Sequence, residues 1–128
     1  MNVEAIKKQL LKQYPGVNIK ENADDKGVVI EIVGEIDRKL VGSNRDVAVV
    51  VTDSSVEHTH DIITEEYEIL KGSLRVFRNG QPTNLGIGDK IIIEPGTNHY
   101  VVGDETWFYC YSVPDWFPGD YHPVEKAS

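Results

Sequence analysis

The start of the chain alternates apolar and polar residues with the period of an α-helix. Apolar side chains recur at helical spacing, at Val3, Ile6, Leu10, Leu11 and Tyr14. Asn2 precedes them as a candidate N-cap, and Pro15 with Gly16 ends the pattern. We therefore predict a helix within residues 1–15 that packs its apolar stripe on the body of the protein. The stripe is short for an amphipathic membrane helix or partner-binding helix.

From residue 17 onward, short apolar runs alternate with turn residues. The runs predict strands at 27–33, 46–52, 65–71, 74–78, 90–94, 99–102 and 106–112. Asn79-Gly80 suits a two-residue hairpin turn, so strand 74–78 should double back on itself. Short strands at this spacing are typical of an antiparallel sandwich or barrel, which makes the chain all-β apart from the first helix.

Two runs differ in how the apolar residues are distributed between the strand faces. Val28, Ile30 and Ile32 alternate with other residues, which predicts one buried face and one wet face. Residues 47–51 have no polar position, so this strand should be buried on both faces.

Length and charge limit the remaining possibilities. The 128 residues suit one domain, 1–128, in which the proline- and aromatic-rich tail 113–128 lies across the body. Lys and Arg number 13 against 21 Asp and Glu, and the net charge of −8 opposes binding to nucleic acid or an anionic membrane. The single Cys110 and the lack of a long apolar N-terminal run favour a cytoplasmic location.

Candidate metal ligands lie in the middle of the chain. His58 and His60 are separated by one residue, so on a strand their imidazoles would project from the same face, with Cα atoms ~6–7 Å apart. Glu65 follows shortly after, and His99 comes from a later segment. Three nitrogens and one carboxylate oxygen suit a divalent transition metal.

The order of these residues resembles that of the cupins. His58, His60, Glu65 and Gly72 are similar to the first cupin motif, H-x-H, three or four residues, E, six residues, G. Residues 88–99, with a glycine first, then Pro95-Gly96 and finally His99, are similar to the second motif. The resemblance covers residues 46–112. Two departures concern turns and not ligands: Thr52 stands where a glycine is usual, and Pro95 directly precedes Gly96.

The resemblance implies a fold, a metal and a range of chemistries. The fold is a double-stranded β-helix, the jelly-roll barrel of cupins, with the motif-bearing barrel at residues 46–112. His58, His60, Glu65 and His99 would hold one divalent Mn, Fe, Ni, Co or Zn ion and leave positions open for substrate. We expect an enzyme that acts on a small polar oxygenated molecule, sugar-like or oxoacid-like, by Lewis-acid isomerase or lyase chemistry. An Fe(II) dioxygenase and a non-catalytic metal- or ligand-binding protein are the alternatives.

Other residues receive secondary roles. Tyr67 lies two residues beyond Glu65 and should face the cavity. It is a candidate catalytic acid or base, but packing in the cavity wall is the favoured role. Aromatic residues cluster near the C-terminus, at 107–109, 111, 116 and 117, as a hydrophobic wall or a dimer contact. Cys110 is interpreted as a buried apolar residue. Exposed sheet edges and the family resemblance favour a homodimer.

Overall fold

The computed structural model describes residues 1–125, which fold as a curled antiparallel sheet with one α-helix. The helix α1 spans Val3–Gln13, and short 3-10 turns occur at Arg38–Val41 and Pro118–Asp120. The strands are β1 (Asn18–Ala23), β2 (Val29–Glu35), β3 (Asp46–Ser54), β4 (His58–Thr59), β5 (Thr64–Lys71), β6 (Leu74–Arg78), β7 (Gln81–Leu85), β8 (Lys90–Ile93), β9 (His99–Val113) and β10 (His122–Pro123).

Helix α1 forms where the sequence predicts it. The side chain of Asn2 caps the helix by accepting a hydrogen bond from the backbone N–H of Ala5 at 3.2 Å. Ile6 and Leu10 are buried against the outer face of the sheet. Leu11 is 58% exposed, so its assignment to the apolar stripe is wrong. It directly follows Leu10, and adjacent helical positions point about 100° apart, so only one of the two can face the sheet.

Strand β9 lies at the centre of the sheet. It pairs with β3, β4, β5 and β6, and every pairing is antiparallel. The apolar pattern predicts two strands here, at 99–102 and 106–112. The structure joins them through a bend in which Glu105 has a φ of 45°. Gly103 allows the bend to pack closely, because a Cβ there would lie 2.5 Å from Thr106 Oγ1.

Two apolar cores lie on opposite faces of β3. Val49 and Val51 pack with α1 on the outside, whereas Val50 packs with Ile69 and Phe108 inside the barrel. The prediction that residues 47–51 are buried on both faces is therefore confirmed. The helix supplies the outer layer that this double burial requires.

The interpretation of β2 needs a correction. Ile32 packs on the helix side, as expected for the buried face, but Val28 is 56% exposed. The opposite face, predicted to be wet, does not point to bulk solvent: Glu31, Val33 and Glu35 line an interior cavity. A polar strand face therefore marks the cavity wall here.

Several elements were not predicted as strands. β1 is mostly exposed and polar, and the two-residue strands β4 and β10 are too short to leave a periodic pattern. β7 is the return arm of the hairpin at Asn79-Gly80, whose positive φ values of 49° and 80° confirm the predicted turn.

The tail continues from β9 over the body of the protein, as predicted, and ends in β10, which pairs with β4. Residues 126–128 of the predicted tail lie outside the described residues. Within residues 1–125, no helix combines the length and the apolar character needed to cross a membrane.

Candidate metal centre and cavity

Three histidines converge at one end of the sheet. His58 lies on β4, His60 directly follows this strand, and His99 begins β9, where it is the register partner of His58. The ring centroid of His58 lies 4.9 Å from the ring centroid of His60 and 4.2 Å from that of His99. His60 and His99 are buried, and His58 is half-buried. The chain therefore brings together the three imidazoles that the sequence singled out.

The backbone fixes the orientation of all three rings. Nδ1 of His58 donates to the carbonyl of Val56 at 2.7 Å, and Nδ1 of His99 donates to the carbonyl of Thr97 at 2.8 Å. Nδ1 of His60 donates to the carbonyl of Asp120, also at 2.8 Å. With the proton on Nδ1, each neutral ring carries its lone pair on Nε2, which is the arrangement that backbone carbonyls impose on histidines that bind metals.

Glu65 completes the cluster from β5. Its Oε1 atom lies 3.2 Å from Nε2 of His99 and 3.4 Å from Nε2 of His60. One ligand atom from each of His58, His60, Glu65 and His99 lies within 4.8 Å of all the others. The carboxylate also accepts hydrogen bonds from the Tyr67 hydroxyl on Oε1 and from the Cys110 thiol on Oε2, both at 3.2 Å.

The electrostatics of the cluster suit a cation. Nε2 of His60 is buried and has no hydrogen-bond partner among the described residues, although it faces the Glu65 carboxylate. The Nε2 lone pairs of two neutral imidazoles repel the carboxylate oxygen that they face. A proton or a metal ion between these atoms removes the repulsion. A divalent ion would satisfy these atoms at once, and three nitrogens with one oxygen form a donor set that transition metals accept.

A proton shared by the imidazoles and Glu65 is the alternative to a metal ion in this cluster. Burial would raise the pKa of Glu65, but His60 and His99 beside it hold the pKa of this carboxyl well below its usual range. Burial likewise opposes a charge on His60, yet the Glu65 carboxylate raises the pKa of His60 above its ordinary value. For His58, burial and the nearby His99 lower the pKa to about 4, so this ring is neutral at neutral pH.

The C-terminal tail supports the cluster in a way that the sequence did not predict. The Asp120 side chain is only 1% exposed, and its carboxylate accepts hydrogen bonds from the backbone N–H groups of residues 61–63 at 2.8 to 3.1 Å. The ring of Tyr121 lies 4.7 Å from the ring of His58. No periodic pattern marks these tail residues, so only the folded chain reveals the contact.

A cavity of about 640 Å³ adjoins the cluster. His58, His60 and Glu65 line it together with Tyr67 and Cys110. Tyr67 faces the cavity as predicted and packs 4.8 Å from Phe108. Burial and the charge of Glu65 raise the pKa of Tyr67 well above its usual value, so its hydroxyl is a hydrogen-bond donor.

Two interpretations of the C-terminal residues change. Of the aromatic residues at 107–111, only Phe108 lines the cavity, because successive side chains of β9 alternate between faces and Trp107 packs with helix α1. Trp116 also lines the cavity, from the tail. Cys110 is more than an apolar residue, since its thiol donates to Glu65.

The second group of possible ligands in the described chain lies outside the cavity. Asp61, Asp120 and His122 have ligand atoms within 4.8 Å of one another. Both carboxylate oxygens of Asp120 already accept backbone N–H groups, and Asp61 and His122 are exposed. His122 is therefore a surface histidine outside the candidate metal centre.

Comparisons with known proteins give matches at the level of structure. No protein-family model matches the chain, and neither does any curated protein. Pac13 from Streptomyces, a nucleoside dehydratase, superposes with a TM-score of 0.69 at 15% identity over 88% of each chain. The cupin-2 domain protein Rru_A2000 from Rhodospirillum rubrum gives a TM-score of 0.69 at 12% identity, over 88% of this chain and 78% of that one.

A third structure is the Fe(II) form of HppE, with a TM-score of 0.59 at 13% identity. The match covers 76% of this chain and 56% of HppE. At these identities the likeness concerns the fold, and it agrees with the topology and with the two motifs found in the sequence. The chain has a cupin-type fold, a β-barrel with a short N-terminal helix and a His/Glu cluster that could hold a metal ion.

Proposed function

We propose that the protein is a metal-dependent enzyme that acts on a small, polar, hydroxyl-bearing molecule by isomerase or lyase chemistry. One observation carries the proposal: three histidines, each held through Nδ1 by a backbone carbonyl, gather with Glu65 beside a cavity, with one ligand atom of each residue within 4.8 Å of the others. A structural metal site would be closed by protein ligands and would need no adjoining cavity.

In this proposal His58, His60, Glu65 and His99 are the metal ligands. A bound divalent ion supplies Lewis-acid polarisation of a substrate oxygen, and four protein ligands leave room for that oxygen around a six-coordinate ion. Tyr67 and Cys110 hold the Glu65 carboxylate through hydrogen bonds to its two oxygens. We assign Tyr67 this positioning role in preference to proton transfer, because its raised pKa keeps the hydroxyl protonated.

The cavity limits the substrate. Its volume of about 640 Å³ is in the usual range for small-molecule sites. Lys20 is the one cationic side chain among the described residues that line it, and this ammonium group is paired with Glu35 at 2.7 Å. Apart from the proposed metal ion, the walls thus provide no unpaired lysine or arginine for a phosphate or carboxylate. We infer that the substrate is neutral or binds its one anionic group to the ion. Structures of Pac13 variants contain uridine, a neutral hydroxyl-bearing molecule, which supports the same class by analogy of fold.

Metal analysis of the purified protein tests the ligand assignment. Protein prepared without chelator should hold one divalent ion per chain, and His60→Ala and His99→Ala should each lose it. His122→Ala is the matched control, because this histidine is 44% exposed in its side chain and lies outside the cluster. Full retention of metal in both cluster variants, with folded protein by circular dichroism, would contradict the assignment.

A dioxygenase is the second candidate. It is favoured by the imidazole-rich donor set, by the apolar cavity wall formed by residues such as Val50 and Phe108, and by the fold shared with the Fe(II) protein HppE. Oxygen uptake by the Fe(II)-loaded protein with a panel of neutral hydroxylated substrates separates this chemistry from isomerase or lyase activity. A protein that binds ligands from the panel without converting them would instead be a binding protein.

A further inference from the structure

Two glutamates project into the cavity from the same face of β2. Glu31 and Glu35 are four residues apart on a strand whose side chains alternate, so both lie on the face that lines the cavity. Ile32, between them in the sequence, packs on the opposite side with the helix. Neither glutamate belongs to the two cupin-like motifs, and neither is part of the proposed ligand set.

The two carboxylates differ sharply in their partners. Glu35 accepts hydrogen bonds from Lys20 Nζ at 2.7 Å and from Asn18 Nδ2 at 3.1 Å. Glu31 accepts a hydrogen bond from Asn22 Nδ2 at 3.1 Å. Within residues 1–125, no Lys, Arg or His side chain forms an ion pair with Glu31.

This difference sets the protonation of the pair. Burial raises the pKa of Glu31 to about 7, against the effect of Asn22. Lys20 lowers the pKa of Glu35. The charge of Glu65 raises the pKa of Glu31 further, whereas a hydrogen bond from Thr52 lowers it. The titratable groups that face Glu31 are Glu65 and Tyr67 on β5, Cys110 on β9 and Tyr121 in the tail. At neutral pH Glu31 thus exists in both forms, which a proton-transfer group requires.

We infer that Glu31 is the catalytic acid and base of the cavity, and this inference rests on the function proposed above. It faces the same space as the His/Glu cluster, carries no ion-pair partner in the described chain and is separate from the ligands. The other carboxylates that line the cavity are engaged: Glu35 pairs with Lys20, Asp115 pairs with Arg38, Asp46 accepts the backbone N–H of Trp116, and Glu65 accepts from Tyr67 and Cys110. We therefore assign proton exchange with a substrate to Glu31.

Proton transfer by Glu31 requires no reactant other than the substrate. The Glu31 carboxylate takes a proton from a carbon next to a substrate carbonyl, an O–H bond forms, and the C–H electron pair moves into the carbonyl group as an enolate. In an isomerase the carbon that loses its proton carries a hydroxyl group, whose proton passes to the enolate oxygen. Glu31 then gives its proton to the former carbonyl carbon, so that the carbonyl and hydroxyl groups have exchanged places. In a lyase, the enolate electrons expel a β-hydroxyl group, and Glu31 protonates it so that it leaves as water.

The first test measures the carboxyl groups directly. Titration of ¹³C-labelled glutamate side chains by NMR, in wild type and in Glu31→Gln and Glu35→Gln for assignment, should give a midpoint near pH 7 for Glu31. Glu35 should titrate below the usual value for glutamate. A Glu31 midpoint at or below ordinary glutamate values, about 4.3, would overturn the inference.

The second test follows proton transfer with dihydroxyacetone, a small neutral hydroxyketone, in D₂O at neutral pD. The metal-loaded wild type should speed exchange of its C–H protons, and Glu31→Gln should reduce that rate by ~10²–10⁴-fold with unchanged metal content. Glu4→Gln, an exposed change on helix α1, should keep the rate within a few-fold.

The outcomes separate the two proposals. Equal exchange in wild type and Glu31→Gln would contradict the role of Glu31 and leave the metal-dependent chemistry intact. Metal-loaded wild type that fails to exchange this probe, while Glu31 titrates near pH 7, would count against the proposed enolisation chemistry and not against the protonation behaviour of Glu31.

Discussion

The backbone carbonyl of Asp120 accepts a hydrogen bond of 2.8 Å from Nδ1 of His60, a residue 60 positions earlier in the chain. The carboxylate of the same aspartate accepts hydrogen bonds from the backbone N–H groups of residues 61–63, the loop between His60 and strand β5, which carries Glu65. One tail residue thus orients a candidate metal ligand and holds the loop that follows it.

We predict that Asp120→Ala weakens both stability and metal binding. The change leaves the backbone N–H groups of residues 61–63 without their acceptor. Because the N–H group of Ile63 is buried, the free energy of unfolding should fall by about 1–3 kcal/mol. Loss of such outer support usually costs about 10–100-fold in metal affinity. Urea unfolding and a competition titration with a chromophoric chelator measure the two effects.

Asp115→Ala is the matched control for this prediction. Asp115 lies in the same tail, but its side chain is 68% exposed and pairs with Arg38 at the surface. Exposed pairs contribute about 0–1 kcal/mol, so the control should remain near wild type in stability and metal affinity. Equal losses in the two variants would argue against a specific role of Asp120.

Metal occupancy should fall as the pH falls. Histidine must be neutral to bind a metal, and Glu65 raises the pKa of His60 above its ordinary value, so a proton on His60 competes with the ion as the pH falls. His58 stays neutral down to about pH 4. Affinity should therefore rise with pH between about 5.5 and 7.5, where dialysis against a metal buffer followed by elemental analysis gives the occupancy. Occupancy that stays constant over this range at limiting metal would contradict ligation by the three histidines.

Tyr67→Phe should keep the fold and the metal. The phenyl ring can retain the packing against Phe108, and the variant loses only the hydroxyl that donates to Glu65. A positioning role predicts a change in metal affinity of less than about tenfold and a correspondingly small change in turnover, whereas a proton-transfer role predicts a loss of ~10²–10⁴-fold in turnover. Tyr100→Phe is the control, since Tyr100 stacks on Phe77 away from the cavity.

Gly103→Ala should destabilise the bend in β9. A Cβ atom at this position would lie 2.5 Å from Thr106 Oγ1 and 3.1 Å from the carbonyl oxygen of Thr52, so backbone or side chain must shift. Such overpacking costs about 1–3 kcal/mol, which thermal or urea unfolding can measure. At Gly86 the nearest atom to an added Cβ is 3.8 Å away, and Gly86→Ala should therefore be well tolerated.

A homodimer remains a prediction. The first strand β1 is a sheet edge, and Trp116, Phe117 and Tyr121 are each about 37–38% exposed in the tail. These features could join two copies, and light scattering at micromolar concentration should then give twice the 14.4 kDa chain mass. A monomer mass would show that the tail aromatics serve only their own barrel.

The sequence predicts the elements and site residues whose signals lie within a short stretch of the chain. The spacing of His58, His60, Glu65 and His99 marks the candidate ligands because two short motifs contain all four, and the helix follows from its own caps and period. Asp120 could not be found this way, because its partners lie 57 to 60 residues away. Glu31 was missed for a different reason: a polar strand face looks the same in a sequence whether it meets bulk water or a cavity.

The double contact of Asp120 makes the tail and the metal site energetically dependent on each other. If docking of the tail orients His60 for an ion, then by thermodynamic reciprocity an ion bound to His60 must hold the tail more tightly. Amide hydrogens of residues 61–63, which the Asp120 carboxylate protects, would then exchange with solvent more slowly in the metal-loaded protein. A bound ion would thus stabilise the docked tail through His60 and Asp120.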